Sequence, residues 1–175
     1  MRLKRAGNPA KIYKDIKQLR KRILKSAEPA EIVVATSGGF DPMHVGHLRC
    51  IQDAAELGDI LVVIVNSDGF LQRKKGFSFM PHQERMEIIA GITGVDYVVG
   101  WDDGSQTVTD ALDILQPAIF AKGGDRDAAA NVPEYDLCAK IGCEVKFNIG
   151  GGKIQSSSNL ISNSAPQFET GDKKK

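Results

Sequence analysis

Two histidines set among glycines form the part of the sequence best suited to chemistry on an anion. They lie in residues 37–49, which read Ser-Gly-Gly-Phe-Asp-Pro-Met-His-Val-Gly-His-Leu-Arg, with His44 and His47 three residues apart. An apolar run precedes this segment and a helical pattern follows it, which predicts a strand that turns into a helix. Gly38 and Gly39 would let the backbone approach a ligand closely, and the free amides of the helix start would face it. The segment is therefore a predicted phosphate-binding site.

Two simpler interpretations of the histidines compete with phosphate binding. Together with Asp41 they could form part of a metal site, but a zinc site needs three or four ligands. They could also be an ordinary polar helix start, for which two histidines and three glycines within ten residues are a poor choice. On a helix, residues three apart share one face, so both rings would point at the same ligand. Two imidazoles beside a group of free amides suit an oxyanion.

Alternating strands and helices are predicted to position this segment. Continuous apolar runs, which mark strands covered on both faces, alternate with helical patterns along the body of the chain. The strands are predicted at 32–35, 59–65, 97–99, 118–121 and 143–147. A helix is predicted after each of them, the last one a short helix that begins at Ser156. This pattern predicts a Rossmann-like, doubly wound α/β fold, a parallel five-stranded sheet with helices on both faces.

Polar, glycine-rich loops follow the predicted strands. Doubly wound sheets bind their ligands beyond the C-terminal ends of the strands, so these loops hold the other candidate site residues. The candidates are Asp68, Lys75, Trp101, Lys122, Gly123, Gly124, Asp125, Ser156, Ser157 and Ser158. Simpler interpretations exist for Asp68 as part of a turn, for Lys75 in a solvated run of charges and for Trp101 as a cap on the core edge. The serines would both cap the last helix and bind phosphate.

The composition describes one globular domain, predicted to cover residues 31–161. The chain has 175 residues, of which 42% are hydrophobic and 26% charged. No apolar run is long enough for a membrane span, and the N-terminus lacks the apolar core of a signal peptide, so we expect a cytoplasmic protein. Three cysteines without a Cys-x-x-Cys pair are expected to be reduced residues in or near the core.

The two ends of the chain differ from its acidic body. Residues 1–25 hold ten Lys and Arg against one acid, within a basic arm predicted over residues 1–30. Apolar residues at helical spacing predict an amphipathic helix over residues 11–25, which would pack on the domain or on a second subunit. Nucleic-acid binding by this arm is disfavoured, because Tyr13 is the only aromatic residue that the arm offers for base stacking. Residues 162–175 are polar and aperiodic, which predicts a disordered tail.

Residues 38–47 resemble the signature of the cytidylyltransferase-like nucleotidyltransferases, in which His-x-Gly-His follows the first strand. Further stretches match motifs of that family in the same order, so the resemblance covers about residues 33–161. They are Gln83-Glu84-Arg85, Lys122-Gly123-Gly124-Asp125 and Ser156-Ser157-Ser158. The Lys-Gly-Gly-Asp stretch is similar to that of the heptose-phosphate adenylyltransferase branch, whereas glycerol-phosphate cytidylyltransferases typically show Gly-Asp-Asp.

The chain departs from the family at two places that bear on its substrates. Family members that act on sugar phosphates often have an Arg-Pro pair where this chain has residues 77–80, Phe-Ser-Phe-Met. Many relatives carry an arginine ahead of the serines, where this chain offers only Lys153. The resemblance therefore leaves the acceptor open.

The resemblance implies a nucleotidyl transfer that works by positioning and charge stabilisation. It implies that His44, His47, Lys75 and Arg85 contact the phosphates, with Arg85 preferred there over a surface ion pair with a neighbouring glutamate. Acceptor contacts would come from Asp68 and Trp101. The implied nucleotide-binding residues are Gly38, Gly39, Phe40, Asp41, Lys122, Gly123, Gly124, Asp125, Ser156, Ser157 and Ser158.

The resemblance also implies the cofactor and the partners. Mg²⁺ would be held mainly by the nucleotide phosphates and water, and the protein would form a homodimer. ATP with a sugar phosphate is the preferred substrate pair. The alternatives are CTP with glycerol phosphate, a phospho-alcohol or a phosphonate, and, in a different class, a nucleotide-binding module without turnover.

Overall fold

In a computed structural model, the protein is described over residues 10–123, 132–152 and 155–169. The strands of this part are β1 (Lys11–Tyr13), β2 (Val33–Gly38), β3 (Ile60–Asn66), β4 (Tyr97–Trp101), β5 (Ile119–Gly123) and β6 (Glu144–Ile149). The helices are α1 (Ile16–Ser26), α2 (Val45–Ala55), α3 (Asp68–Lys75), α4 (His82–Ala90), α5 (Thr109–Leu115), α6 (Tyr135–Ile141) and α7 (Ser157–Glu169).

The strands form one parallel sheet in the order β1-β4-β3-β2-β5-β6. β2 lies inside the sheet, where Val34 is level with Leu61 of β3 on one side and with Ile119 of β5 on the other. The chain extends the sheet first through β3 and β4, and later through β5 and β6 in the opposite direction. The strand order therefore reverses between β2 and β5, where a doubly wound sheet opens a ligand crevice.

The central strand β3 shows why helices cover both faces of the sheet. All of its residues are buried, and successive side chains of a strand point to opposite faces. Alternate residues from Ile60 to Ile64 pack into a core with α1, α5 and α6. The intervening residues from Leu61 to Val65 pack into a second core with α2 and α4. This arrangement confirms the predicted doubly wound α/β fold.

The sheet has one more strand than predicted, because β1 forms where a helix was expected. β1 pairs in parallel with β4, and the Ala10 N–H donates to the Ala90 carbonyl at 2.8 Å. Helix α1 begins only at Ile16, where Asp15 Oδ1 accepts the N–H of Lys17 at 2.7 Å and so caps the helix. The predicted start of the helix at residue 11 is therefore wrong. Ile12 matches the helical spacing, but an extended segment supplies hydrogen bonds to the edge of β4.

The apolar face of α1 packs on the core of the domain, which was one of the two packings considered. Ile16, Leu19 and Ile23 are buried there together with the residues of α5. Leu24, on the opposite side of the helix, is 64% exposed.

Two further helices differ from the sequence interpretation. Residues read as polar loops after β3 form α3, because Ser67 Oγ accepts the Phe70 N–H at 2.9 Å and buried Phe70 and Leu71 anchor the helix. Gly76 ends it with φ of 83°, the left-handed conformation that glycine adopts readily. Helix α7 continues to Glu169, beyond residue 162, where the tail was predicted to begin. None of the described helices combines the length and the apolar character needed to cross a membrane.

Candidate active site

A cavity of about 550 Å³ opens at the C-terminal ends of β2 and β5, where the strand order reverses. Residues from the starts of α2 and α7 and from α3 complete its walls. Most of the residues singled out in the sequence line this cavity. They are Gly38, Gly39, Phe40, Asp41, His44, His47, Lys75, Lys122, Gly123, Ser156, Ser157 and Ser158.

Hydrogen bonds to the backbone fix both histidine rings at the start of α2. Nδ1 of His44 accepts the N–H of Gly46 at 3.2 Å, and Nδ1 of His47 accepts the N–H of His44 at 3.3 Å. The two rings stack, with centroids 3.7 Å apart and an angle of 21° between their planes. Because Nδ1 accepts in both rings, the proton of each neutral ring lies on Nε2. The cavity wall thus carries two imidazoles whose Nε2–H groups can donate to a ligand.

Burial keeps these rings in their neutral form near pH 7. Burial lowers the pKa of His44, and it lowers the pKa of His47 to about 4, with the positive charges of His44 and Lys75 adding to the shift. A protonated ring would turn Nδ1 into a donor that faces a backbone N–H. The low pKa and the helix cap therefore favour the same protonation state.

The loop from β2 to α2 holds its shape through Phe40. Phe40 has φ of 53°, and its ring meets that of His47 edge to face at a centroid distance of 5.2 Å. A Cβ placed on Gly39 would lie 2.7 Å from Leu71 Cδ2, and one on Gly38 would lie 3.0 Å from the Phe40 ring. A Cβ at either glycine would thus displace a neighbouring side chain, and the left-handed residue of this loop is Phe40.

Lys75 is held at the cavity by Asp41. Its Nζ donates to the Asp41 carbonyl at 2.8 Å, lies 3.2 Å from Asp41 Oδ2 and sits over the ring of Phe77 at 4.5 Å. The buried Asp41 carboxylate also accepts the N–H groups of Phe79 and Met80 at 2.8 and 2.6 Å. Asp41 therefore orients the lysine and the 77–80 segment, which is the stretch where the family often has Arg-Pro.

Arg85 does not line the cavity, in contrast to the phosphate contact expected of it. Its guanidinium is buried and donates to the carbonyls of Met80 (2.9 Å), Gly39 (2.7 Å) and Asn66 (2.7 Å). Its fourth bond, at 2.6 Å, goes to Asp68 Oδ1, which is the ion-pair partner in place of a neighbouring glutamate. Arg85 thus links the segments that follow β2 and end β3, and it stabilises the backbone next to the cavity.

Asp68 is likewise outside the cavity lining, in contrast to the acceptor contact expected of it. Besides Arg85, it accepts hydrogen bonds from Ser78 Oγ at 2.7 Å and from the N–H of His82 at 3.2 Å. Burial acts to raise the pKa of Asp68, but its hydrogen bonds and the charge of Arg85 outweigh that effect and lower it. The side chain connects α3 to the start of α4.

Trp101 also lies away from the main cavity. It borders a separate cavity of about 340 Å³ between β4 and the start of α1, together with Lys14 and Asp15. Its indole Nε1 is buried without a hydrogen-bond acceptor among the described residues. The next residue, Asp102, pairs with Arg73 of α3 and accepts the hydroxyl of Ser67 at 2.5 Å. The expected acceptor contact of Trp101 is therefore not part of the cavity that holds the histidines.

The end of β5 contributes Lys122 and Gly123 to the cavity, whereas Gly124 and Asp125 lie outside the described residues. Lys122 Nζ lies 4.0 Å from Glu134 Oε2 and 4.6 Å from the centroid of the Phe120 ring. A Cβ on Gly123 would come within 2.6 Å of Cys50 Sγ, so this glycine lets α2 pack against the strand end.

The serines at the start of α7 also line the cavity. Ser157 Oγ donates to the Pro42 carbonyl at 2.8 Å, and Ser156 Oγ accepts the N–H of Asn159 at 3.1 Å as a helix cap. The helix start is thus tied to the Asp-Pro segment that precedes the histidines.

Sequence reasoning missed several polar residues of the cavity. Asn66 and Glu134 are buried there, and Asn66 Oδ1 and Glu134 Oε2 lack hydrogen-bond partners among the described residues. Gln106, Lys74 and Gln155 also line it. Asn66 directly ends β3, so the rule about strand ends could have found it, whereas Glu134 precedes a helix and carried no such signal.

The fold and the site together define the class of protein. The model of the cytidylyltransferase-like family matches residues 35–147, and the chain belongs to that family. This confirms the resemblance seen in the His-x-Gly-His motif.

The individual relatives include larger proteins. The chain is 38% identical to bifunctional protein HldE of Syntrophotalea carbinolica over 142 residues, which cover 79% of this chain and 28% of that protein. It is 41% identical to bifunctional protein HldE of Nitratiruptor sp. over 95 residues, 53% of this chain and 20% of that protein. The chain thus spans less than a third of the length of these curated relatives.

Solved structures of similar fold include a lipopolysaccharide core biosynthesis protein from Thermoplasma volcanium. It is 25% identical, with a TM-score of 0.56, and the match covers 73% of this chain and 98% of that one. Pantothenate synthetase from Thermus thermophilus has a TM-score of 0.60 over 86% of this chain and 67% of its own, at 15% identity. The second likeness concerns the fold alone.

Proposed function

We propose that this chain transfers a nucleoside monophosphate from a nucleoside triphosphate to a small phosphorylated acceptor. The observation that carries the proposal is the pair of neutral histidines whose Nδ1 atoms are occupied by backbone N–H groups at a helix start. Their Nε2–H groups supply donors to the cavity, and Lys75 Nζ supplies positive charge. This is the environment that a polyphosphate requires.

In the proposed reaction, an oxygen of the acceptor phosphate forms a bond to the α-phosphorus of the triphosphate. The bond from that phosphorus to the oxygen bridging the α- and β-phosphates breaks, and pyrophosphate leaves with this oxygen. The acceptor oxygen is already ionised at neutral pH, so no base and no covalent enzyme intermediate is needed. Catalysis then consists of holding the two substrates in line and of stabilising the charge that develops.

Each group of residues has a proposed role in this reaction. His44 and His47 donate to oxygens of the α- and β-phosphates, and Lys75 neutralises charge on the leaving pyrophosphate. The hydroxyl of Ser158 and the free amides of the α7 start hold the terminal phosphate. Arg85 is a positioning residue, because its guanidinium donates hydrogen bonds to the carbonyls of Gly39 and Asn66 and so fixes the backbone there.

Mg²⁺ fits this proposal as an ion that arrives with the nucleotide. The described residues include no group of three His, Cys, Asp or Glu side chains that could hold a metal ion, and the Asp41 carboxylate already binds Lys75 and two backbone amides. The ion would be held by phosphate oxygens and water, and it would reduce the negative charge of the triphosphate.

ATP and a sugar phosphate are the proposed substrate pair. The Lys122–Gly123 end of β5, which begins the stretch similar to heptose-phosphate adenylyltransferases, lines the cavity. CTP with a polyol phosphate, a phospho-alcohol or a phosphonate is the pair to test against it.

Pyrophosphate release tests the proposal directly. Purified protein with Mg²⁺ would be given each of the four nucleoside triphosphates against a panel of sugar phosphates, polyol phosphates and phosphonates. We expect release that depends on one nucleotide and one class of acceptor, together with a nucleoside diphosphate conjugate in equal amount. If nucleotide binds by calorimetry but no acceptor in the panel supports release, turnover on these acceptor classes is refuted.

A further inference from the structure

A buried carboxylate in the cavity has no role in the proposed phosphate chemistry. Glu134 lies just before α6, is 4% exposed and lines the main cavity. Its Oε1 accepts the N–H of Val108 at 3.1 Å, at the start of α5. Its Oε2 is buried and accepts no hydrogen bond from the described residues. Lys122 Nζ is 4.0 Å from Oε2, which balances the charge but is too long for a hydrogen bond.

An unsatisfied carboxylate oxygen at a cavity wall indicates that a ligand supplies the missing donor. Burial of a charged oxygen without a hydrogen bond is costly, and most buried polar atoms in proteins have a partner. The ion pair with Lys122 reduces the cost of the charge and leaves the lone pairs of Oε2 unused. A neutral N–H or O–H group of a bound molecule would satisfy them.

The position of Glu134 in the cavity indicates which part of the ligand provides this donor. The proposed phosphate donors come from α3 and from the starts of α2 and α7, whereas Glu134 is held by the start of α5 and by the end of β5. A carboxylate repels phosphate oxygens, so the triphosphate cannot lie against Oε2. The proposed reaction brings two sources of neutral donors to the cavity, the nucleoside and the hydroxyls of the sugar phosphate. Glu134 pairs with Lys122 at the end of β5, which is the part of the cavity assigned to the nucleotide, so the nucleoside is the partner.

We propose that Glu134 Oε2 accepts a hydrogen bond from the nucleoside of the bound nucleotide, either from the base amino group of ATP or CTP or from a ribose hydroxyl. This inference rests on the nucleotidyltransferase function proposed above and names the residue that recognises the nucleoside. Contact with the amino group would disfavour UTP and ITP, which present a carbonyl oxygen at that place. Contact with the ribose would disfavour the deoxynucleotides.

Calorimetry in the absence of the phosphorylated acceptor substrate tests this contact. The hydrogen-bond donor is removed from the nucleotide and the hydrogen-bond acceptor from the protein, first separately and then together. Dissociation constants would be measured for the wild type, E134A and E134Q with ATP, ITP, CTP, UTP and the 2′- and 3′-deoxy forms of ATP. We expect one of these donor deletions to weaken binding to the wild type at least ~10-fold, as for a hydrogen bond to a charged group. The same deletion should weaken binding to E134A less than about twofold, because this variant already lacks the carboxylate that accepts the hydrogen bond. The pair that shows this coupling identifies the amino group or the hydroxyl.

E134Q and an exposed control keep the experiment interpretable if E134A unfolds. E134Q retains an oxygen for the Val108 N–H while it removes the charge, and its amide can donate to the carbonyl of ITP or UTP. D136N removes an exposed carboxylate from the first turn of α6, two residues after Glu134, and should leave every nucleotide ratio unchanged. Ratios in E134A and E134Q equal to those of the wild type would overturn the inference while nucleotide binding itself persists. Failure of the wild type to bind any of these nucleotides would instead refute the proposed function as well.

Discussion

The two cavity histidines cap the start of α2 and also line the cavity. Both Nδ1 atoms accept backbone N–H groups, so the spacing of three residues creates a helix cap and a pair of outward donors at once. The sequence spacing was sufficient to predict that the rings lie together. It could not reveal the tautomer, which depends on the hydrogen bonds that Nδ1 accepts. Nor could it reveal the low pKa of His47, which depends on burial and on the neighbouring charges of His44 and Lys75.

The pKa of His47 leads to a prediction about stability and pH. Between about pH 6.5 and pH 4, the unfolded chain binds a proton at this residue that the folded chain does not bind. The free energy of unfolding therefore falls as the pH falls through that window, by up to about 3 kcal/mol from His47 alone. Urea unfolding from pH 7 to pH 4 measures this loss, and a ring titration by NMR gives the pKa, expected at about 4.

The H47N variant is the control for that prediction. The asparagine amide oxygen can accept the His44 N–H in place of Nδ1, but it does not titrate. The variant should lose less stability than the wild type between pH 7 and pH 4. Parallel pH curves for the two proteins would show that His47 is not held neutral by folding.

Arg85 leads to a second prediction at the scale of a residue. Its buried guanidinium satisfies three carbonyls and Asp68, so R85A should lower the free energy of unfolding by about 3 kcal/mol or more. R73A is the matched control, because Arg73 forms its ion pair with Asp102 while about a third exposed and should cost less than about 1 kcal/mol. Equal losses in urea unfolding of the two variants would contradict the structural role of Arg85.

At the scale of elements, the sequence predicted the layers better than their ends. A continuous apolar run was sufficient to locate β3, because a strand covered on both faces must be apolar throughout. The sequence also located β2, β4, β5 and β6 to within a few residues. The edge strand β1 was missed, because Ile12 also fits the helical spacing of α1 and only pairing with β4 decides between the two. Helix α3 was read as a loop, since its caps, Ser67 and Gly76, are also common turn residues.

The role of α1 in the core is testable with two leucines of the same helix. Leu19 is fully buried between the sheet and α5, so L19A should lower the free energy of unfolding by about 2–5 kcal/mol. Leu24 is 64% exposed, and L24A should change it by less than about 0.5 kcal/mol. Thermal or urea unfolding measures both, and similar small losses would mean that α1 is dispensable for the domain.

At the scale of the whole molecule, the strand order explains why residues far apart in sequence share one cavity. The reversal between β2 and β5 brings the histidines of α2, the lysine of α3 and the serines of α7 to one edge of the sheet. The general rule for doubly wound sheets predicted this gathering. It did not distinguish residues that line the cavity from residues packed around it, and Arg85, Asp68 and Trp101, which were predicted to contact the substrates, do not line this cavity.

The central claim is that His47 donates to the phosphates during nucleotidyl transfer. Its most direct test is kcat for pyrophosphate release by H47A and H47N, with the nucleotide and acceptor that support release by the wild type. Both variants should lose at least ~100-fold, as expected when one transition-state donor is removed. H47N should keep its melting temperature close to that of the wild type, because the helix cap survives. A loss under about threefold in folded variants would contradict the assigned role of His47 and, with it, the proposed arrangement of the site.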